Sequence, residues 1–240
     1  GSGKTAVYIQ LIRDSLQRGK NAILLVPEIS LTPQLLQLLI SHFGRDVAVL
    51  HSALRVSERY DEWKRIRDGK AKVVVGTRSA VFAPLCNIGL LIVDEEQEHT
   101  YKSESDPKYH TRDVAAYRAG KNNALMLLAS ATPSLESFYK AKGGTYTLVE
   151  MKKRYGDAVL PDVIITDMRK ERARGNSSPY SKKLAEYLLR TKEDQKQSIL
   201  FLNRRGYNTF VSCRSCGYVV KCDACDVSMT LHRDQHNPDG

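Results

Sequence analysis

Lys4 stands in the pentapeptide Gly1-Ser2-Gly3-Lys4-Thr5, a pattern suited to holding phosphate. Glycines let the backbone wrap phosphate oxygens, the Lys4 ammonium can meet the β and γ phosphates of a nucleotide, and the Thr5 hydroxyl can reach Mg²⁺. A helix opening at this point adds its N-terminal N–H groups. Such a site needs an acid at the end of a buried strand. Leu90-Leu91-Ile92-Val93-Asp94-Glu95 supplies two. Asp94 is the better Mg²⁺ residue, and Glu95 the better group to orient or deprotonate an attacking water. Ser130-Ala131-Thr132 follows the next strong strand. Small hydroxyls there can sense the acids and the nucleotide, although with Pro133 the same residues also make a good helix start.

A second constellation is Cys213-x₂-Cys216-x₅-Cys222-x₂-Cys225. Each Cys-x-x-Cys pair can form a knuckle whose thiolates converge on Zn²⁺, and two knuckles complete a tetrahedral site. The competing use, a redox-active pair, calls for a preceding thioredoxin-like strand, which neither pair has. The five-residue gap is short for both pairs to share one ion. Cys86 stands alone and reads as a small buried hydrophobe.

The elements that must position these groups alternate. A helical pattern covers Ala6 to Gln17, with Val7, Leu11, Ile12 and Leu16 on its apolar side. Ala22 to Val26 is a buried strand ending at Pro27. Thr32 can cap a helix whose first turn holds Pro33. Val47 to Leu50 is a strand, Tyr60 to Arg67 a charged helix, and Val73 to Val75 a strand before Gly76. Ile88 to Val93 is a strand, residues 100 to 110 a polar loop with Tyr101 and Tyr109, and Arg112 to Ala119 a helix. Ala124 to Ala129, a helix over Glu136 to Ala141, and a strand over Thr145 to Val149 follow. This alternation predicts an α/β lobe with a parallel sheet covered on both faces. The lobe is expected to span residues 1–150. Residues 151–206 read as a linker and the start of a second α/β lobe, with strands at Val163 to Ile165 and Gln197 to Phe201. The helix between them, Tyr180 to Leu189, offers Leu184, Leu188 and Leu189 to a core. Residues 207–240 read as a partial zinc-binding module.

The 240 residues carry 37 Lys and Arg against 27 Asp and Glu, a net charge of +10, which suits a polyanionic partner. A hydrophobic content of 42% excludes a wholly disordered chain. Locally basic positions are Lys152, Lys153, Arg154, Arg169, Lys170, Arg172 and Arg174. No signal peptide opens the sequence, and no apolar segment reaches membrane-spanning length. A cytoplasmic protein is expected, its cysteines reduced or metal-bound.

Read in order, the motifs resemble those of superfamily 2 helicases, and among them the bacterial primosomal replication-restart helicases. The match runs through Val26-Pro27-Glu28-Ile29-Ser30-Leu31-Thr32-Pro33-Gln34, His51-Ser52, Gly76-Thr77-Arg78-Ser79-Ala80 and Phe82-Ala83-Pro84-Leu85. It continues through Asp94-Glu95-Glu96-Gln97, Tyr109-His110-Thr111-Arg112-Asp113 and Ser130 to Ser137. Phe201-Leu202-Asn203-Arg204-Arg205-Gly206-Tyr207 then leads into the cysteine pairs, the most specific part. Gln97 and Thr111 depart from the family's common His and Ala.

The resemblance implies a RecA-like ATP-binding lobe and the beginning of a second, in an ATP-dependent 3′–5′ DNA helicase that acts at stalled or repaired forks. Gly1, Ser2, Gly3, Lys4, Thr5 and Asp94 would bind ATP and Mg²⁺, with Lys4, Asp94 and Glu95 catalytic. Thr77, Arg78 and Ser79 would touch the DNA backbone. Tyr101, Lys102, Lys108, Tyr109 and Arg112 belong to a segment resembling the aromatic-rich loop that couples DNA contact to hydrolysis. Tyrosine rings there could stack on bases while the cations reach phosphates. The family holds two Zn²⁺ on eight interleaved cysteines, so Cys213, Cys216, Cys222 and Cys225 would be half of each ligand set; His232 or His236 could substitute. Partners implied are forked and single-stranded DNA, primosome and helicase-loading proteins, and single-stranded-DNA-binding protein. The sequence is expected to be truncated at both ends and inactive alone as a motor. Arg204 and Arg205 are assigned structural or lobe-coupling roles. A helicase-like subunit of a restriction or remodelling complex, or a non-enzymatic zinc-dependent assembly module, are the alternatives.

Overall fold

The structure, a computed structural model, describes residues 3–151, 161–201, 213, 216, 218–225 and 227–229. Gly1, Ser2, Lys152, Lys153, Arg154, Arg204, Arg205, His232 and His236 lie outside the described residues. The chain divides into two compact units, Gly1–Val159 and Leu160–Gly240.

In the first unit the elements are α1 (Lys4–Gln17), β1 (Asn21–Leu25), α2 (Pro33–Phe43), β2 (Val47–Leu50), α3 (Val56–Arg67), β3 (Val73–Gly76), β4 (Ile88–Asp94), α4 (Thr111–Asn122), β5 (Leu125–Ala129) and α5 (Leu135–Lys142). The strands form a parallel sheet in the order β2-β3-β1-β4-β5. The period of two along β1 sorts the core onto two faces. Ile23 and Leu25 face one cluster with Ile66 of α3 and Ala115 and Ala119 of α4. Ala22, Leu24 and Val26 face the other, with Tyr8, Ile9 and Ile12 of α1 and Leu39 of α2. Continuous apolar strands such as Leu90 to Val93 are therefore buried on both sides, as parallel sheets require. This is the sheet and helix arrangement of a RecA-like P-loop lobe.

Caps fix the helix starts. The Thr32 side chain accepts the Leu35 N–H ahead of Pro33, and Ser134 accepts the Ser137 N–H. Gly76 ends β3 where a Cβ would lie 2.2 Å from the Leu50 carbonyl oxygen and 2.6 Å from the Ala80 Cβ. Only glycine lets the chain turn there into Thr77 and Arg78.

Thr145 to Val149 is not a strand. The Thr145 and Tyr146 N–H groups both donate to the Lys140 carbonyl, wrapping this segment onto the end of α5 instead of a sheet neighbour.

The second unit contains α6 (Met168–Ala173) and α7 (Lys182–Glu193). The Glu171 carboxylate ties them, accepting from the Asn176 side chain at 2.8 Å and the Lys182 N–H at 2.9 Å. The strands expected at Val163 to Ile165 and Gln197 to Phe201 are absent: Ile165 is 93% exposed and Ile199 95%. β-branched runs favour a strand only where a neighbour accepts their backbone bonds, and no described residue does so. Leu184 and Leu189 are likewise exposed on α7 and join no core. Among the described residues no helix is long and apolar enough to cross a membrane.

Candidate functional site

Gly3 caps α1 in the left-handed region, φ 86°, and offers the helix's first N–H groups no capping side chain of its own. The opening turn therefore presents amide donors and the positive end of the helix dipole, a fit for a phosphate group. Lys4 lies in that turn, and its ammonium reaches the ends of β4: it donates to Glu95 Oε1 and lies 3.4 Å from Asp94 Oδ1. Burial alone would lower the Lys4 ammonium, but the Glu95 hydrogen bond and the Asp94 and Glu95 charges outweigh it and hold it above its ordinary value. Burial alone would raise the Glu95 carboxyl; donation from Lys4 and Gln97 holds it below the usual range. Glu95 adopts a left-handed φ of 47°, a strained backbone for a side chain of its size that aims it across the site.

Tyr8 completes this cluster. One turn after Lys4 on the same face of α1, it donates to Asp94 Oδ1 at 2.6 Å. The Glu95 N–H donates to the same oxygen at 3.0 Å. Burial, then the hydrogen bond to Asp94, raises the Tyr8 hydroxyl, which stays a donor. The i,i+4 spacing from Lys4 was the available sequence signal. Thr5 lies in the same turn, and its hydroxyl and the Asp94 carboxylate are the kind of hard oxygen donors that Mg²⁺ takes.

Two further links leave the acids. Gln97 Nε2 donates to Glu95 Oε2 at 2.9 Å, and Gln97 Oε1 accepts from Ser130 Oγ at 2.5 Å. An amide can do both at any ordinary pH. Ser130 is thus linked to Glu95 through Gln97. Glu96, 2% exposed, accepts from the Ser134 N–H at 2.7 Å, from Ser137 Oγ at 2.9 Å and from Arg112 Nη1 at 2.8 Å. Periodicity gives no sign of this buried acid, which sits where a surface turn is expected.

Beside the acids lies a groove of about 760 Å³ at the C-terminal ends of β1, β3 and β4, reaching Ser52 after β2. Thr77, Arg78, Ser79, Lys102 and Tyr109 line it together. Arg78 Nη1 donates to the Thr100 and Lys102 carbonyls at 3.2 and 2.8 Å, fixing the loop that forms one wall. The Lys102–His110 bridge and the Ser103 N–H to the Tyr109 carbonyl close that loop's neck. Thr77 itself is buried, whereas Ser79, Lys102 and Lys108 are exposed. Tyr109 packs edge-on against Phe82, centroids 4.9 Å apart.

Two expected DNA contacts are corrected. Tyr101 is 1% exposed, and its hydroxyl donates to the Asp94 carbonyl at 2.7 Å, so its ring is core at the groove's base and not a stacking platform. Arg112 faces inward at the start of α4, where Nη1 also donates to Ser134 Oγ and Ser137 Oγ. Its guanidinium is committed to Glu96 and does not reach the groove.

In the second unit the first cysteine of each pair makes the same kind of backbone hydrogen bond. The Cys213 N–H donates to the Tyr218 carbonyl at 2.7 Å and the Cys222 N–H to the Val227 carbonyl at 2.8 Å, five residues on in each case. The Ala224 backbone, then Cys225, hydrogen-bond the Cys222 thiol and lower it. Amide-stabilised thiolate is the form that binds metal. Among the described residues no group of three or more metal-ligating side chains converges.

Residues 1–141 match the DEAD/DEAH box helicase family. The chain is 50% identical to the replication restart protein PriA of Bacillus subtilis over 97% of its own length and 29% of that protein's. It is 47% identical to PriA of Synechocystis sp. over 99% of its length and 29% of the relative. Among solved structures, RecG bound to a three-way DNA junction superposes with TM-score 0.43 and 28% identity over 60% of this chain and 18% of that one. The sequence thus spans under a third of the length of these two PriA relatives. The sheet, the Lys4–Asp94–Glu95 cluster and the helicase motifs agree with these matches: the chain belongs to the DEAD/DEAH box helicase family, on the branch of the PriA replication-restart proteins.

Proposed function

We propose that the full-length protein is an ATP-dependent 3′–5′ DNA helicase that recognises stalled or repaired replication forks and starts primosome assembly. The observation that carries this is the convergence of Lys4, Asp94 and Glu95 beside a groove lined by Thr77, Arg78, Ser79, Lys102 and Tyr109. Phosphate and nucleic-acid chemistry share one edge of the sheet. Residues 1–150 form the ATP-binding lobe, 151–206 the linker and the start of a second RecA-like lobe, and 207–240 part of a zinc module.

Gly1, Ser2, Gly3, Lys4 and Thr5 bind the nucleotide phosphates, and Thr5 and Asp94 hold Mg²⁺. When bound there, Mg²⁺ would supply positive charge against the phosphates that these residues hold. Tyr8 and the Glu95 N–H orient the Asp94 carboxylate, and Glu95 accepts the proton of the attacking water. Thr77, Arg78, Ser79, Lys102, Lys108 and Tyr109 hold single-stranded DNA. Partners are forked DNA, primosome and helicase-loading proteins and single-stranded-DNA-binding protein, in the cytoplasm.

The test is ATP hydrolysis by the full-length gene product, with and without forked DNA, beside Lys4→Ala. Hydrolysis that rises with the fork and disappears in the variant is expected. A folded wild type that does not hydrolyse ATP on any fork sinks the motor reading.

Cys213, Cys216, Cys222 and Cys225 each supply ligands to one of two Zn²⁺ in the full-length protein; the paired Cys-x-x-Cys spacing supports this. Metal analysis should find about two zinc ions per chain, since each complete four-ligand site binds one. Chelation should then unfold the module, because site binding energy is folding energy there. A zinc-free protein with an intact module would reject the assignment.

A further inference from the structure

Helix α3 covers the edge strand β2 and turns only one side inward. Ile66 is buried, and Glu62 accepts the Val49 N–H at 3.0 Å. On the outer side, Val56, Tyr60, Trp63 and Arg67 recur at spacings of four, three and four, a single stripe on an α-helix. Val56 is 83% exposed, Tyr60 58% and Trp63 39%. The Arg67 guanidinium lies 5.2 Å from the Trp63 ring centroid and is steadied by Asp68 at 3.1 Å. Lys64 flanks the same stripe. At about 100° per residue, the helix's acids fall elsewhere: Glu58 and Glu62 on the opposite side and Asp61 off the stripe. Glu58 is taken up by the Arg55 N–H and Glu62 by Arg65. The outer face is thus aromatic and basic, with the C-cap carboxylate of Asp68 paired to Arg67 at its far end.

This face adjoins the groove. Ser52 lines the groove's β2 end, and Arg59 Nη2 donates to the Ser52 and Leu54 carbonyls at 3.2 and 3.4 Å, tying the first turns of α3 to it. From Val56 to Arg67 the stripe runs on for about 16 Å at the rise of an α-helix.

We propose that the outer face of α3 is a second nucleic-acid contact, where a single strand leaving the groove past Ser52 lays bases on Tyr60 and Trp63 and phosphates against Arg59, Lys64 and Arg67. Alternating π faces and cations are what a single strand recognises, and the surface is complementary to phosphate in charge. This rests on the helicase reading of the groove.

The experiment is anisotropy with the full-length product and fluorescein-labelled forks carrying oligo-dT tails of stepped length. Wild type should gain affinity in a second step once the tail outgrows the groove. Tyr60→Ala with Trp63→Ala should lose that step, weakening long-tail binding about tenfold or more while short tails bind as in wild type. Tyr60→Phe with Trp63→Phe should restore it, because a ring suffices for stacking. Lys64→Ala should lower the salt dependence of long-tail binding by about 0.7 in log–log slope. If the alanine pair binds every tail like wild type, the proposal is overturned; the same holds if it instead loses association with a helicase-loading protein. Equal weakening on short and long tails also overturns it, placing the effect in the groove or the fold. A wild type that binds no tail at all defeats the helicase reading itself.

Discussion

Glu95→Gln in the full-length product should still bind ATP and should lose about 10²- to 10⁴-fold in DNA-stimulated turnover, the range for removing a general base. The Gln side chain is nearly isosteric and can still accept from one of Lys4 and Gln97, whose donors now hold Glu95 Oε1 and Oε2, its other terminal atom being an NH2 donor. What it cannot do is take a proton. Those same donors keep the Glu95 carboxyl below its usual range, so the wild-type group stays ionised well into acid. The Lys4 bond also makes it a weaker base. A Lys4 ammonium that turned toward phosphate would release Glu95 Oε1 and restore its basicity, linking nucleotide contact to base strength. Steady-state kinetics of the variant, with ATP affinity measured separately, check this. Turnover within a few-fold of wild type would move the base role elsewhere.

The sheet and the meeting of Lys4 with Asp94 and Glu95 were legible in sequence for one physical reason: both depend on local pattern. Leu90 to Val93 is apolar because it is buried on both faces, and an acid at its end is forced to the strand's C-terminal edge. Thr32 and Pro33 mark a helix start by local hydrogen bonding alone. The failures involve partners far along the chain. Val163 to Ile165 and Gln197 to Phe201 read as strands, but a strand is a pairing, and composition does not name the partner. Tyr101 looks like an exposed loop aromatic until β4 supplies the carbonyl that takes its hydroxyl 2.7 Å away. Arg112 looks like a phosphate contact until Glu96, sixteen residues earlier, claims it. Tyr8 was within reach, since it repeats Lys4 after one helical turn.

The buried Glu96–Arg112 pair carries the largest expected effect on stability. Glu96→Ala should cost about 3–5 kcal/mol, because it strands the Arg112 charge in a buried site. The loss is local before it is global. Glu96 holds the Ser134 N–H and both the Ser134 and Ser137 hydroxyls, and Ser134 is the cap of α5. Arg112 opens α4, so one carboxylate fastens the acid turn to two helix starts. Arg112 Nε is already buried without a partner among the described residues, leaving the guanidinium little reserve. Peptide-resolved hydrogen exchange of the full-length product should show protection over residues 134–138 falling about 10²- to 10³-fold. Arg112→Ala should do the same, and the double variant should cost less than the sum of the two, the mark of direct coupling. The pH dependence has a definite sign. Burial alone would raise the Glu96 carboxyl, but the Ser134 N–H, Ser137 and Arg112 hold it below the ordinary glutamate value of 4.5. Its contribution is therefore full above that value and is lost as pH falls through the lower folded one. Wild type and Glu96→Ala should accordingly converge in protection toward acid and separate above pH 5 or so. Equal protection at neutral pH would show that the pair holds nothing, and Arg112 would return to the phosphate role that its sequence position suggests.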